Sequence, residues 1–511
     1  MIKESAQLHQ PPTTSDGNIL LAAKGGGIAF AGNLSVYIIR FAFSIVIARL
    51  LGAELLGLYS LGQTVTDVAG IMAALGLSAG MVRYIPIAIS QKDKSRLWGI
   101  IQTGLAIPIM VGLVLALGVF LLADPLSIRL FGRPDLAPVL RLSSVGIPLL
   151  ALISVMAAIT QGFKRMEFKV YSQDITLNLS KLILSVALLA IGLSVMGAVA
   201  AYIISLAVTV VMLFFFVNHL FPLNRPLRAA QRNTKDMLRF TLPVYLSQLL
   251  NEFSGSIETV VLGFFGSVSG VGIYTAVLRV SGIGSMFLSS LTRIAAPLFS
   301  DLHSQGKIDQ LKRVYQTTTK WAMTFNLPIF LTMAIFARPL LSIFGVDFVA
   351  GASGLIILAF ATLFNASTGM CGSIITMTGH SKLNLANSII DLTANIGLVL
   401  LFVPRWGIVG AALAGSLSII LINTMRLVEV FVLLRIWPYN PSFLKPIAAA
   451  LVAAGVAYLA NIWLAFLPTI AQILAGAAGL WGAYALAIVS LRLSDEDRLV
   501  LNRLWSRFTP R

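Results

Sequence analysis

Apolar residues run along almost the whole chain in blocks of twenty or more, interrupted by short clusters of Gly, Pro and charged residues. A helix needs about 20 mainly apolar residues to cross a hydrocarbon core roughly 30 Å thick, and its backbone groups must bond within the segment because lipid offers them nothing. Blocks and boundaries together predict about fourteen such helices. The first six cover 28–50, 55–87, 98–123, 139–162, 172–195 and 197–218, and the next six 237–265, 270–300, 313–337, 350–379, 383–403 and 407–436. A last pair follows at 444–465 and 469–492. Pro86, Pro108, Pro148, Pro243, Pro297 and Pro328 fall in or near these blocks and are expected to kink or break them.

Composition agrees with the pattern. Hydrophobic residues make up 57% and charged residues only 11% of 511 positions, with mean hydropathy +0.89; a soluble domain carries about a quarter charged residues. Lys and Arg outnumber Asp and Glu by 37 to 20. In a soluble protein that excess suggests nucleic acid, but here most of it lies in short loops, so topology explains it and no nucleic-acid partner is expected. One face carries Lys92, Lys94, Arg96, Lys164, Arg165, Lys169, Arg225, Arg228, Arg232 and Lys235. Lys307, Lys312, Arg313, Lys382, Lys445 and the tail cations Arg498, Arg503, Arg507 and Arg511 join them, against little beyond Arg129, Arg133, Arg338 and Arg405 opposite. By the positive-inside rule both termini are cytoplasmic, which requires an even helix count.

The chain also repeats itself. Leu51-Gly52 followed by Gly57-Leu58-Tyr59 returns as Phe265-Gly266 and Gly272-Ile273-Tyr274, and Ala123-Asp124-Pro125-Leu126 with Phe131-Gly132 as Ala337-Arg338-Pro339-Leu340 with Phe344-Gly345. Gly162 before a basic loop is matched by Gly379, and Gly197-Ala198-Val199 by Gly407-Ile408-Val409. Four ordered matches at a spacing of roughly 210 to 217 residues indicate duplication. Six helices per copy is even, so the copies insert with one orientation and are related by an axis along the membrane normal. The expected organisation is an all-α polytopic protein: a cytoplasmic tail 1–27, a six-helix lobe 28–218, a basic linker 219–236, a second six-helix lobe 237–436, an extra pair 437–492 and a basic tail 493–511.

Ala48-Arg49-Leu50-Leu51-Gly52 with Gly57-Leu58-Tyr59, the paired Pro-Leu and Phe-Gly loops, the Gly162 and Gly379 helix ends and the six-plus-six-plus-two plan resemble the polysaccharide flippases of the multidrug, oligosaccharidyl-lipid and polysaccharide exporter superfamily. The resemblance implies a V-shaped pair of lobes working by alternating access around a hydrophilic cavity. It further implies a cargo of undecaprenyl-phosphate- or pyrophosphate-linked oligosaccharide for O-antigen, capsule or exopolysaccharide. Membrane lipids and polysaccharide polymerase or assembly proteins are the implied partners, and the bacterial inner membrane the implied location.

Ionisable residues deep in a membrane usually face a bundle interior or a wet cavity, so they are the candidate site. Arg40 and Asp67 each lie about twelve residues into a helix, near mid-membrane at about 1.5 Å per residue. Glu252 and Glu258 share one later block with Arg279 close by, and Lys181 and Asp391 sit nearer the cytoplasmic half. A pyrophosphate entering a low-dielectric cavity must exchange its hydration for fixed donors. Arg40 and Arg279 suit that task because guanidinium is planar, permanently charged and bidentate; Lys181 ranks next, and Gln63 and Asn251 are candidate partners of sugar hydroxyls. Asp67, Glu252, Glu258 and Asp391 are the possible coupling carboxylates for H+ or Na+. The plain alternative is that Arg40 with Asp67, and Arg279 with Glu252 or Glu258, are ion pairs holding helices together.

Catalysis is not expected. His9, His219, His303 and His380 fall in tails or loops, no phosphate-cradling Gly-Lys-Ser/Thr motif occurs, and Cys371 is the single cysteine, so neither metal nor cofactor is expected. Two other functions stay open: an ion-coupled multidrug exporter of the same superfamily, which would use a carboxylate-lined cavity, and a membrane scaffold for envelope assembly.

Overall fold

The computed structural model describes residues 15–222, 234–464 and 466–491, and every regular element among them is helical. The cations Arg225, Arg228, Arg232, Arg498, Arg503, Arg507 and Arg511, and residues 1–14 of the expected tail, lie outside the described residues. Ten of the described helical segments are long and apolar enough to cross a membrane. This is a multi-pass membrane protein.

In chain order the main helices are α1 (Ser15–Ala74), α2 (Leu77–Ser90), α3 (Lys94–Leu121), α4 (Leu136–Ser144), α5 (Gly146–Gly162), α6 (Leu177–Ala190), α7 (Val195–Leu220) and α8 (Thr234–Phe265). They continue as α9 (Val268–Ser281), α10 (Met286–Ser304), α11 (Ile308–Ile335), α12 (Ala352–Thr368), α13 (Ser381–Leu434), α14 (Leu444–Trp463) and α15 (Thr469–Ser490). α1 starts at Ser15 rather than at 28, because Ile19 to Ala23 are good helix formers that extend the block toward the terminus. Glycine, more than proline, sets the breaks. α1 turns at Gly52 (φ 73, ψ 177), between the expected segments 28–50 and 55–87, and α13 at Gly407 (φ 51, ψ −121), the first residue of the expected segment 407–436. Pro86, Pro108, Pro297 and Pro328 all lie inside helices.

The duplication is visible in the backbone. At the end of α2, Lys92 is left-handed (φ 55), and the amides of Gln91, Lys92 and Asp93 donate to the carbonyls of Ile87, Ile89 and Ala88. At the end of α10, Gly306 is left-handed (φ 69), and Gln305, Gly306 and Lys307 donate to Asp301, His303 and Leu302, every partner 214 positions later. The turn after α5 pairs Lys164 with Gln161 and Arg165 with Thr160; its counterpart pairs Gly379 with Thr376 and His380 with Ile375. Structurally, then, Gly379 answers to Lys164 (φ 61) and not to Gly162, while Gly407 answers to Gly192 (φ 89) and not to Gly197. Matching glycine letters misplaced the first pair because a left-handed turn can be held by lysine at a cost of about 1–2 kcal/mol, and the second because Gly197, inside α7, is not the glycine with positive φ.

The chain falls into two compact units. One comprises residues Ile38–Ala276 and Leu392–Ala414. Its α1, α3 and α5 meet through small side chains, with Ala69, Ala73, Ile147 and Ala151 buried against Val111, Leu115 and Val119. Thr66 ties α1 to α4 as well, donating to the carbonyl of Ser143 at 3.1 Å. In the same unit the second half of α1 crosses α9 at two glycines: a Cβ on Gly57 would strike the Val268 carbonyl, and one on Gly272 the Ala53 carbonyl.

The other unit comprises Val277–Asp391 and Gly415–Arg511 with Met1–Tyr37. Its core joins Phe299, Tyr315, Ile374 and Val430, and the Tyr315 hydroxyl bonds the carbonyl of Thr368 and Cys371 Sγ, each at 2.8 Å. Cys371 is fully buried there as a packing residue. The last pair, α14 and α15, lays Ala449, Ala453, Ala457 and Leu480 against Met323 and Leu327 of α11, and the Tyr484 hydroxyl donates to the Thr324 carbonyl at 2.9 Å. Outward faces of the pair remain apolar and exposed at Leu451, Leu459, Trp463, Leu474 and Leu486, as lipid contact requires.

Candidate functional site: a polar cavity around Arg40

Arg40 sits in the first half of α1, and its Nε donates to Asn178 Oδ1 at 3.2 Å while Nη2 lies 3.9 Å from Asp174 Oδ1. The geometry originates in a π-helical stretch, Val170–Thr176, that leads into α6. A π turn shifts carbonyls out of the ordinary helical ladder. Buried Asn178 collects two of them, donating from Nδ2 to the carbonyls of Gln173 (3.2 Å) and Asp174 (2.9 Å). With its amide nitrogen committed, its oxygen can only accept, and it faces the guanidinium. The Arg40 and Asp174 side chains stay 48% and 34% exposed, so the pair is an open one.

These groups border a cavity of about 370 Å³ within the first unit. Asp67, Ser78, Ser154, Gln173, Gln248 and Glu252 share its lining with Arg40 and Asp174, and Gly70, Gly76, Ile71, Leu150 and Leu177 supply its apolar wall. Ser78 and Ser154 hydroxyls are hydrogen-bonded to each other at 2.6 Å. Asp67 accepts from the Tyr202 hydroxyl at 3.0 Å. The Arg40–Asp67 pairing considered from sequence is therefore replaced by Arg40–Asp174, with both expected residues on the cavity wall.

The other candidates are placed elsewhere. Lys181 Nζ stands over the rings of Phe43 (4.3 Å) and Tyr202 (5.5 Å), a cation–π position beside the cavity. Gln63 hydrogen-bonds Tyr202, and Asn251 is exposed on α8 outside the lining. Glu258 is 7% exposed and accepts from Asn395 Nδ2 at 3.1 Å, with Ser254 on the same amide. In the second unit, Asp391 accepts from the Ser418 hydroxyl at 2.7 Å, and Arg279 lies exposed on α9. That unit also gathers Asp391, Glu429 and Cys371 around Arg426, with Asn387 donating to Glu429 at 2.7 Å.

Asp174, Asn178, Asn395, Arg426 and Glu429 were absent from the sequence-derived set. A signal for three of them exists: Asp174-Ile175-Thr176-Leu177-Asn178 recurs as Asp391-Leu392-Thr393-Ala394-Asn395. In each copy the motif's asparagine reaches the same place on the facing helix, Arg40 in one and Ser254 in the other, 214 positions apart. Charge has moved by one turn between copies. Arg40 and Ser44 in the first correspond to Ser254 and Glu258 in the second.

Comparison with known proteins bears on this arrangement. The family described as Polysaccharide biosynthesis protein matches residues 22–303, more than half of the chain, and the MatE family matches residues 243–401. The probable low-salt glycan biosynthesis flippase Agl15 of Haloferax volcanii is 24% identical over 37% of this chain, which spans 40% of that relative's length. Stage V sporulation protein B of Bacillus subtilis is 21% identical over 93% of this chain and 96% of its own. Among solved structures, the lipid II flippase MurJ in an inward closed conformation superposes with a TM-score of 0.71 at 15% identity, covering 91% of this chain and 99% of its own. The chain spans less than half the length of relatives such as Agl15, and the solved structures share its fold.

Proposed function

This chain belongs to the polysaccharide biosynthesis protein family, and from that premise we propose that it flips a polyprenyl-phosphate- or pyrophosphate-linked oligosaccharide by alternating access, for the making of a surface polysaccharide. The observation that carries the reading is Arg40, a permanently charged, half-exposed guanidinium held by Asn178 and Asp174 on the wall of a polar cavity. A guanidinium so fixed offers a lipid phosphate its remaining donors in a preset orientation, replacing hydration that the phosphate loses on leaving water.

Fourteen crossings follow if α1 and α13 each count as two spans joined at Gly52 and Gly407, and if α2, α4 and α9 are counted in one span with the second half of α1, with α5 and with α10 respectively. Two six-helix lobes plus the α14–α15 pair then account for the repeated turns and for the apolar outer face of that pair. We place the protein in a bacterial inner membrane with both termini cytoplasmic, on the distribution of loop cations. Glu258 with Asn395, and Asp391 with Ser418, are the carboxylates proposed to exchange H+ or Na+ and so couple the cycle to a gradient.

A second reading has one observation in its favour. Among the described residues the cavity wall holds Asp67, Asp174 and Glu252 against a single arginine, as an ion-coupled exporter of cationic drugs would require. A strain lacking the gene separates the two. Accumulation of a lipid-linked oligosaccharide on the cytoplasmic leaflet supports flipping; unchanged surface polymer with raised sensitivity to cationic drugs supports export and contradicts flipping.

A further inference from the structure

The charge balance of the Arg40 cavity bears on which sugars it accepts. Three carboxylates reach it from separate segments, Asp67 from α1, Asp174 from the π-helical stretch and Glu252 from α8, and among the described residues Arg40 is the only cation on the wall. That arginine already faces Asp174 at 3.9 Å and is held by Asn178. Lys181, the neighbouring cation, is turned onto the Phe43 and Tyr202 rings and does not line the cavity. Ser78, Ser154, Gln173 and Gln248 contribute only neutral donors and acceptors.

Carboxylates beside amides and hydroxyls make a surface suited to sugar hydroxyls, since each carboxylate accepts several O–H bonds and the amides supply donors. At about 370 Å³ the space falls in the range of roughly 300–1,000 Å³ typical of small-molecule sites. A second negative group brought among these acids would meet like charge, which costs several kcal/mol in general. We propose that this cavity receives the sugar part of the cargo and discriminates against acidic sugars, accepting neutral or amine-bearing ones. The proposal rests on the flippase reading, with Arg40 at the phosphate end and the carboxylates around the sugar.

Binding to the purified full-length protein in nanodiscs at pH 7 tests it. The probes are short-chain polyprenyl pyrophosphates carrying N-acetylglucosamine, glucosamine or glucuronic acid, and the same pyrophosphate without sugar. The glucuronate probe is expected to bind at least about tenfold more weakly than the N-acetylglucosamine probe, with glucosamine binding at least as well as the latter. Asp67→Asn with Glu252→Gln should shrink that gap to about threefold or less, and Glu252→Gln alone should shrink it partly if the double variant unfolds. Equal binding of the uronate and N-acetylglucosamine probes to the unmodified protein overturns the inference and leaves flipping intact. An unchanged gap in a folded variant also overturns it. Failure of every pyrophosphate probe, sugar-free included, overturns the flippase reading itself.

Discussion

Gly57 and Gly272 occupy the same place in the two copies of the repeat, and each gives way to the backbone of the helix that carries the other. A side chain on Gly57 would strike the Val268 carbonyl and one on Gly272 the Ala53 carbonyl, while Ala53 and Val268 are themselves repeat partners. Such reciprocity is what a local two-fold axis produces. Because the obstacle is backbone, it has no rotamer with which to yield.

Gly57→Ala and Gly272→Ala should therefore each destabilise the protein by about 1–3 kcal/mol. Fluorescence-detected size exclusion after a heating series measures this as a lowered melting midpoint. Gly255→Ala, on an open face with nothing within 4 Å, is the control expected to stay near the unmodified value.

Asn178 should matter through Arg40. A hydrogen bond to a charged group is worth about 1.5–3 kcal/mol, so Asn178→Leu is predicted to weaken binding of a polyprenyl pyrophosphate by about tenfold or more. Asn178→Asp keeps an acceptor facing Arg40 and should recover part of the loss. Full binding by Asn178→Leu would show that Arg40 needs no positioning.

Arg40→Ala should abolish surface polysaccharide while membrane levels of the protein stay near normal, and Arg40→Lys should rescue poorly because a single ammonium lacks the planar fork. Arg279→Ala, removing an exposed cation, is the companion test of the second arginine proposed from sequence. Disappearance of either variant from the membrane would assign that arginine to helix association.

Much of the fold was legible because lipid permits so few answers. Hydropathy found ten helical segments long and apolar enough to cross a membrane, and Gly52 and Gly407 were found at boundaries of expected segments, since a non-helical joint favours a residue free to take positive φ. Lys164 escaped notice as the true partner of Gly379 because left-handed backbone is a property of position, not of letter. The site was half legible. Depth singled out Arg40, Asp67 and Glu252 for the cavity, but Asp174 and Asn178 lie where the chain looked like a helix entrance, and a π turn that no hydropathy window registers aims them inward. Burial of Glu258 against Asn395 needed the duplicated Asp-x-Thr-x-Asn motif, which was present but not read.

Coupling makes a separate prediction. Glu258→Gln should keep the hydrogen bond to Asn395 and remove the charge, so transport should persist at a reduced rate but lose its response to an imposed H+ or Na+ gradient. Flux in proteoliposomes with and without each gradient reads this out. A gradient response equal to that of the unmodified protein would move coupling to Asp391 or Asp67.

Transbilayer movement is the most direct test of the whole account. Proteoliposomes holding the purified protein and a fluorescent polyprenyl-pyrophosphate-linked oligosaccharide are treated with a membrane-impermeant quencher, and the inner-leaflet fluorescence is followed. The account predicts time-dependent loss of the protected half with the unmodified protein and slowing by about tenfold or more with Arg40→Ala, the loss expected when a charged hydrogen-bonding group is removed. Protection that stays at the level of protein-free vesicles would contradict it.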